Sequence, residues 1–257
     1  MEKYLNTNNI FNKIKLHPLF YTCLLLVVMT GQFKKFIIMM SIIIFHEIGH
    51  IVMAKLLKWK IEQILILPFG CLTIFDEFIN KPLFEEFLVC ISGPIFQIFY
   101  YVIMSNFMDI STIHYSLLIF NLLPIIPLDG SKILNLLLNK IFPFYSSQII
   151  SCIISLTTIL VASLFLIFNN QNLMLLLTFS LFFIKLFQEV KNIEYIFNKF
   201  LLERYIQELK ISKIKKIRGI NLKAMFRDYR HLFILEKNYY TEKQIIRKKF
   251  DLQRKVW

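Results

Sequence analysis

The chain has 257 residues, of which 56% are hydrophobic, 16% aromatic and only 18% charged. Because soluble domains are nearer a quarter charged, this composition excludes an ordinary soluble enzyme and indicates a membrane protein. The formal net charge is +13, and 18 of the 30 Lys and Arg lie from Lys191 onward. The positive charge therefore belongs mainly to a basic C-terminal tail.

Long apolar stretches recur along the chain and predict membrane-spanning helices. A helix needs about 20 mostly apolar residues to cross a bilayer, with a range of about 17–25. The second, third and fifth stretches meet this length comfortably, and the others meet it with their polar flanks. In chain order they are Leu19–Gly31, Phe36–Ala54, Phe87–Met104, Ile113–Leu128, Ile149–Phe168 and Leu173–Ile184. We expect an all-α polytopic membrane domain over residues 1–190, with six transmembrane helices and an irregular fourth span.

The second span contains the motif His46-Glu47-Ile48-Gly49-His50. On a helix, residues i and i+4 share a face, so both histidines can point at one metal ion, with Glu47 beside them as a general base. No other ionisable residue lies between Lys35 and Lys55. A carboxylate at the centre of a membrane helix costs roughly 2.5–3.5 kcal/mol on insertion scales. The motif therefore predicts zinc chemistry inside a membrane.

The segment Ile61–Phe75 is apolar but too short to cross a bilayer as a helix. Pro68, Phe69 and Gly70 interrupt it between β-branched flanks, which predicts a β-hairpin. An exposed strand edge there could hold a substrate in extended form by β-augmentation, which makes these three residues candidates for substrate binding. The alternative is a re-entrant loop that only packs against the helices.

A second motif, Asn121–Gly130 (NLLPIIPLDG), interrupts the fourth span with two prolines. Each proline removes a backbone donor and disfavours helix in the residue before it. Broken backbone at membrane depth is tolerated only where protein buries it or where it lines a wet cavity. Because catalytic zinc takes three protein ligands, Asp129 is the best candidate for the third. Alternatively, Asp129 caps a helix that starts near Ser131, and both roles could hold together.

The two motifs together resemble the site-2 protease family of intramembrane zinc metallopeptidases, over roughly residues 15–200. The resemblance implies that His46, His50 and Asp129 hold one Zn²⁺ per chain and that Glu47 is the catalytic base. Asn121 matches a polar residue near the active site that contacts the substrate or the developing oxyanion. A helix–helix hydrogen bond is the alternative for Asn121.

The third span contains Ser92-Gly93-Pro94, with Gln97 following. Many relatives in the family have Asn at the position of Gln97. The amide group is kept but its reach differs, so we predict packing or hydrogen bonding for Gln97 rather than catalysis.

The small six-span layout most resembles the branch of the family that acts in bacterial endospore formation. That branch cleaves the pro-sequence from a membrane-associated sigma-factor precursor, pro-sigma-K, and membrane partner proteins inhibit it. The resemblance therefore implies a pro-sigma factor as substrate, inhibitory partners, and a bacterial cell membrane as location. The alternative function is a non-proteolytic membrane zinc-binding protein or scaffold, which would have little use for Glu47 at the position of a base.

Residues 191–257 contain 11 of the 13 net positive charges. The positive-inside rule places this tail in the cytoplasm, and an even number of spans returns the N-terminus to the same side. We interpret the basic tail as a flank that faces anionic lipid, and we expect no nucleic-acid binding. A strand-like run at His231–Leu235 and a charged helix from Thr241 predict a small α+β tail, which could form a single reduced CBS-like unit.

Overall fold

The computed structural model describes residues 14–254 except 17, 68–69, 76–78, 169–172, 208–210, 212 and 236–237. They form two compact units, one from Met1–Glu77 and Phe87–Phe120 and the other from Phe78–Glu86 and Asn121–Trp257. The elements in chain order are β1 Ile14–Leu16, α1 Pro18–Thr30, α2 Phe33–Leu56, β2 Ile61–Leu67, β3 Gly70–Phe75, α3 Leu83–Met104, α4 Ser111–Leu122, α5 Asp129–Ile141, α6 Phe144–Phe168, α7 Leu173–Ile206, β4 Ile214–Arg218, β5 Arg230–Leu235, β6 Asn238–Thr241 and α8 Glu242–Arg254.

Three of the described helices, α2, α3 and α6, are long and apolar enough to cross a membrane. They contain the three stretches that met the length requirement comfortably in the sequence, which confirms those helices by length and composition. Between 28% and 33% of the most apolar part of each is buried within the protein. Large apolar side chains are exposed on each of the three helices, for example Ile44, Phe99 and Phe165, as a helix that faces lipid requires. The full count of six spans stays a prediction.

In the first unit, α2 packs closely against α3. A Cβ atom at Gly49 would lie 2.5 Å from the carbonyl oxygen of Ser92, so glycine is what allows the two backbones to approach. The phenol of Tyr100 donates to the hydroxyl of Ser41 at 2.9 Å and its ring stacks on Phe45. This contact places one face of α2, with the two motif histidines, against α3.

The predicted strands of the hairpin are present in the first unit. Strand β2 pairs antiparallel with β3, with Ile64 opposite Thr73, and β1 pairs parallel with the other edge of β2. The order β1-β2-β3 leaves β3 at an edge of the sheet. Pro68 and Phe69 lie outside the described residues, and the depth of this hairpin in a bilayer stays a prediction.

The fourth predicted span is interrupted, as its prolines indicated. Helix α4 ends at Leu122 and α5 begins at Asp129, so the segment between them is not helical. Both prolines of the motif lie in this break. The break therefore places Asp129 at the start of a new helix.

In the second unit, the C-terminal tail forms a small α+β fold. Strand β4 pairs parallel with β5, β6 pairs antiparallel with β5, and α8 packs on the sheet. Its core joins that of α7 through buried apolar side chains that include Phe197, Phe200, Met225, Phe233, Ile245 and Ile246. The predicted α+β character and the run His231–Leu235, within β5, are confirmed. Helix α7 continues through the predicted domain boundary at residue 190, and the CBS-like assignment stays a prediction.

Two side chains at the end of α7 fix the loop that precedes α3. The guanidinium of Arg204, which is 2% exposed, donates to backbone carbonyls within 226–229 and through Nε to Asn80. The neighbouring carboxylate of Glu203 accepts the backbone N–H groups of Ile79 and Asn80 at 2.9 and 3.1 Å. Because a buried guanidinium is expensive to leave unpaired, this network requires the tail to be folded.

The buried His231 pairs with the half-buried Glu242, and its imidazole is neutral. Nδ1 of His231 lies 2.6 Å from Oε1 of Glu242, and the N–H of Phe226 donates to Nε2 at 3.0 Å. Since Nε2 accepts a hydrogen bond, the ring proton is on Nδ1 and is donated to the carboxylate. Burial lowers the pKa of His231, and this effect outweighs the opposing attraction of Glu242.

We expect the tail to lose stability as the pH falls below the ordinary histidine pKa of about 6.5. The folded pKa of His231 is lowered, so the unfolded chain binds the proton more readily and mild acid favours unfolding. Above about pH 6.5 both states are neutral and the effect vanishes. Amide hydrogen exchange of β5 and α8, corrected for the intrinsic rate, measures this loss. His231→Gln should remove the step, and protection that stays constant from pH 7.5 to 5.5 contradicts the prediction.

Candidate metal centre

The side chains of His46, Glu47 and His50 lie together on α2, with potential ligand atoms within 4.8 Å of one another. The Nε2 atoms of the two histidines are 3.1 Å apart. Both imidazoles are buried, at 3% and 6% exposure, whereas Glu47 is half-buried. The predicted i, i+4 pair therefore points its two rings at one place.

Residues of α3 fix the protonation of both imidazoles. Nδ1 of His46 lies 2.9 Å from Oε1 of Gln97, whose amide nitrogen donates to the carbonyl of His114 at 3.1 Å. Nδ1 of His50 donates to the carbonyl of Val89 at 2.7 Å. Because each Nδ1 faces an oxygen acceptor, each carries the ring proton and each Nε2 keeps its lone pair.

The two Nε2 lone pairs and the space in front of them fit a zinc ion. Two tetrahedral ligands at about 2.0–2.1 Å from zinc are separated by about 3.3 Å, close to the 3.1 Å between these nitrogens. A Cβ atom at Gly93 would lie 2.3 Å from Nε2 of His50 and 2.8 Å from Nε2 of His46. Glycine at position 93 therefore leaves space in front of both nitrogens. A cation in that space would satisfy the lone pairs of the two Nε2 atoms.

Glu47 receives a hydrogen bond from the hairpin. The hydroxyl of Thr73, on β3, donates to Oε2 of Glu47 at 2.8 Å. Both side chains are half-buried. Glu47 is thus held beside the histidine pair by a residue 26 positions further along the chain.

In the second unit, Asp129 is buried at the first position of α5. The residue is 8% exposed, and Nζ of Lys132 lies 3.0 Å from Oδ1. Leu128 occupies the cap position and makes no side-chain cap bond, so Asp129 does not take the alternative role of N-cap. A Cβ atom at Gly130 would lie 2.1 Å from the carbonyl oxygen of Leu122. Only glycine therefore fits after Asp129.

Ser155 of α6 holds the broken segment that precedes Asp129. Its hydroxyl donates to the carbonyl of Pro124 at 3.0 Å and accepts the N–H of Ile126 at 3.3 Å. Ser155 is fully buried. Backbone groups that the prolines released from helix are satisfied in this way.

The remaining predicted site residues lie at three places. Asn121 is half-buried in the last turn of α4, Gly70 begins β3, and Pro68 and Phe69 lie outside the described residues. Sequence reasoning missed Thr73 and the carbonyl of Val89, and it named Gly93 without a role at the site. Of these, Gly93 alone left a signal, as a glycine within an apolar helix four residues before Gln97. The predicted hydrogen bonding of Gln97 is confirmed, and its partner is a motif histidine.

Replacing Gln97 with leucine is expected to weaken zinc binding about 10–100-fold, the usual cost of losing an outer partner of a metal-ligating histidine. Without the amide oxygen, His46 loses the acceptor that keeps its proton on Nδ1. Competition with a calibrated chelator measures the affinity. Gln148→Leu is a matched control, because within the part of the chain that the structure describes the side chain of Gln148 bonds only with Asn135. Equal affinities for wild type and Gln97→Leu would contradict this role.

Comparison with known proteins agrees with the metal centre. The model of peptidase family M50 matches residues 35–111, which include most of α2 and all of its motif. Stage IV sporulation protein FB of Bacillus subtilis is 32% identical over 248 residues, covering 88% of this chain and 85% of that protein. A zinc metalloprotease of Methanocaldococcus jannaschii is 30% identical over 162 residues, 58% of this chain and 47% of that protein.

A solved structure supports the same relationship. The site-2 protease from Methanocaldococcus jannaschii superimposes with a TM-score of 0.52 at 29% identity, covering 68% of this chain and 89% of that one. The sporulation relative is matched over most of its length at more than 30% identity. The chain therefore belongs to peptidase family M50, the site-2 proteases.

Proposed function

We propose that this chain is an intramembrane zinc metalloendopeptidase that cleaves a membrane-associated protein within or near the bilayer. The observation that carries the proposal is the pair of buried Nε2 atoms of His46 and His50, 3.1 Å apart, with Glu47 beside them in a helix long enough to span a membrane. An ionisable cluster in such a helix is costly and indicates function.

His46, His50 and Asp129 would hold one Zn²⁺, which supplies Lewis-acid chemistry and makes water nucleophilic near neutral pH. Glu47 takes the proton from the attacking water and passes it to the departing amine of the peptide. Asn121 is proposed to donate a hydrogen bond to the substrate or to the developing oxyanion. Each of these roles belongs to a side chain that is at least half-buried.

The hairpin is proposed to hold the substrate in extended form. A helical substrate has its carbonyl groups bonded and shielded, so a segment must unwind before it can be cleaved. Strand β3 is an edge strand, and Thr73 on it bonds to Glu47 at 2.8 Å. A segment that pairs with β3 by β-augmentation would therefore run near the base. Gly70, at the start of β3, is proposed to contact it, as are Pro68 and Phe69.

The proposed substrate is a pro-sigma factor that is processed during sporulation. Support comes from the 32% identity with Stage IV sporulation protein FB over most of both chains. We place the chain in a bacterial cell membrane with six spans and both termini in the cytoplasm, because its basic tail follows the positive-inside rule. On the basis of the same similarity, we propose that membrane partner proteins inhibit this chain.

Co-expression with candidate membrane-tethered precursors tests the proposal, with shortening of one precursor as the expected result. The responsive pair is then reconstituted in vesicles. Cleavage should stop when a chelator removes the zinc and return when zinc is restored. A protein that binds one zinc yet shortens no precursor, or cleavage that survives complete zinc removal, would overturn the proposal, and the first outcome would favour the non-proteolytic scaffold.

A further inference from the structure

We propose that Thr73 is a positioning residue that holds the carboxylate of Glu47 in place for peptide cleavage. This inference rests on the proposed function, since it assigns a role in the reaction that Glu47 is proposed to catalyse. Thr73 stands outside both sequence motifs, and its position on the hairpin gives no sequence signal for such a role.

The geometry of the contact allows Thr73 to restrain the carboxylate of Glu47. The Thr73 hydroxyl donates to Oε2 of Glu47 at 2.8 Å, within the usual range for a hydroxyl donor and a carboxylate acceptor. Threonine is β-branched and stiff at χ1, so the strand backbone determines where its hydroxyl points. Strand β3 is itself fixed by its ladder with β2, in which Thr73 lies opposite Ile64.

The bond leaves the carboxylate able to act as a base. An ionised carboxylate has about four acceptor positions, and the hydroxyl of Thr73 uses one. A glutamate side chain has several rotatable bonds, and a bond to one oxygen limits the positions that the other can take. Because misplacing a reacting group by about 1 Å can cost about 10²-fold in rate, this restraint bears directly on catalysis.

The same strand is the proposed docking edge for the substrate. A substrate segment that pairs with the edge of β3 would therefore stabilise the strand that restrains Glu47. Thr73 thus connects the position of the bound peptide with the position of the base. This arrangement predicts an effect on the rate of the bound complex rather than on substrate binding.

Steady-state cleavage of the responsive precursor by reconstituted protein tests the inference. Thr73→Val, which keeps the shape but removes the donor, is expected to lower kcat about 10-fold or more while KM stays within about 2-fold. Thr73→Ser restores a donor and should keep kcat within about 3-fold of wild type. Thr157→Val is the matched control, because among the described residues the hydroxyl of Thr157 bonds only to the carbonyl of Ile154, in its own helix. Zinc content is measured for every variant and should stay unchanged.

Several results would overturn the inference. They are a wild-type kcat for Thr73→Val, an equal loss in Thr73→Ser, a change confined to KM, or loss of zinc from Thr73→Val. These outcomes assume that wild type cleaves and that Glu47→Gln does not. If wild type fails to cleave, or if cleavage persists in Glu47→Gln, the proposed function itself fails, and this inference fails with it.

Discussion

Replacing Asp129 with alanine is expected to remove both the zinc and the proteolytic activity. Two histidines supply only two of the three protein ligands that a catalytic zinc takes. Loss of an outer partner already costs about 10–100-fold in metal affinity, and loss of a ligand should cost at least about 100-fold. Metal analysis of the purified protein, after dialysis against a weak chelator, should find about one zinc per chain in wild type and little in Asp129→Ala.

The ion pair of Asp129 with Lys132 provides the control. Nζ of Lys132 lies 3.0 Å from Oδ1, and the lysine side chain is about half exposed, so this pair contributes little to stability. Lys132→Ala should therefore keep its zinc and its activity. If Asp129→Ala retained one zinc per chain, the third ligand would have to be another residue. If Lys132→Ala lost zinc as completely, Asp129 would matter through the ion pair.

The elements that could be predicted from the sequence are those with a strong local signal. The motif helix α2 follows from the i, i+4 spacing of His46 and His50 within a long apolar run. The interruption between α4 and α5 follows from two prolines, whose effect on the backbone is local. The strands β2 and β3 follow from β-branched flanks on both sides of the sequence Pro68-Phe69-Gly70. In each case, neighbours in the sequence determine the outcome.

The contacts that complete the centre join residues far apart in the sequence. Gln97 lies 51 residues from His46, Val89 lies 39 from His50, and Thr73 lies 26 from Glu47. Hydrogen-bonding side chains of this kind have many potential partners, and only the packing of α2 against α3 and β3 selects one. Their roles therefore became visible only with the fold.

The tail shows a second reason for incomplete prediction. Strands β4 and β6 read Ile-Lys-Lys-Ile-Arg and Asn-Tyr-Tyr-Thr, and neither has the alternating apolar pattern of a strand that covers a core. Both are short strands at the edges of a sheet whose centre is β5. Charged residues are common on edge strands because they discourage pairing with other chains. Tertiary pairing with β5, rather than local propensity, makes them strands.

Replacing Glu47 with glutamine is expected to abolish cleavage while the protein keeps its zinc. Glutamine preserves the size of the side chain and can still accept the hydrogen bond of Thr73, but it cannot take a proton from water. General acid–base catalysis contributes about 10²–10⁴-fold, and Glu47 is proposed to serve in both directions of proton transfer. Product formation in a reconstituted assay should fall at least about 100-fold, with about one zinc per chain by metal analysis.

The zinc content of this variant distinguishes a catalytic base from a zinc ligand, two roles for Glu47 that geometry alone does not separate. The carboxylate of Glu47 has an oxygen within 4.8 Å of ligand atoms of both histidines, so it is near enough to be considered as a ligand. If Glu47 is a base, replacing it leaves the metal in place. If Glu47 is a ligand, replacing it removes the metal. Glu62→Gln, the same change on an exposed residue of β2, should affect neither measurement. Full proteolysis by Glu47→Gln would exclude the base mechanism, and loss of zinc would make Glu47 part of the ligand set.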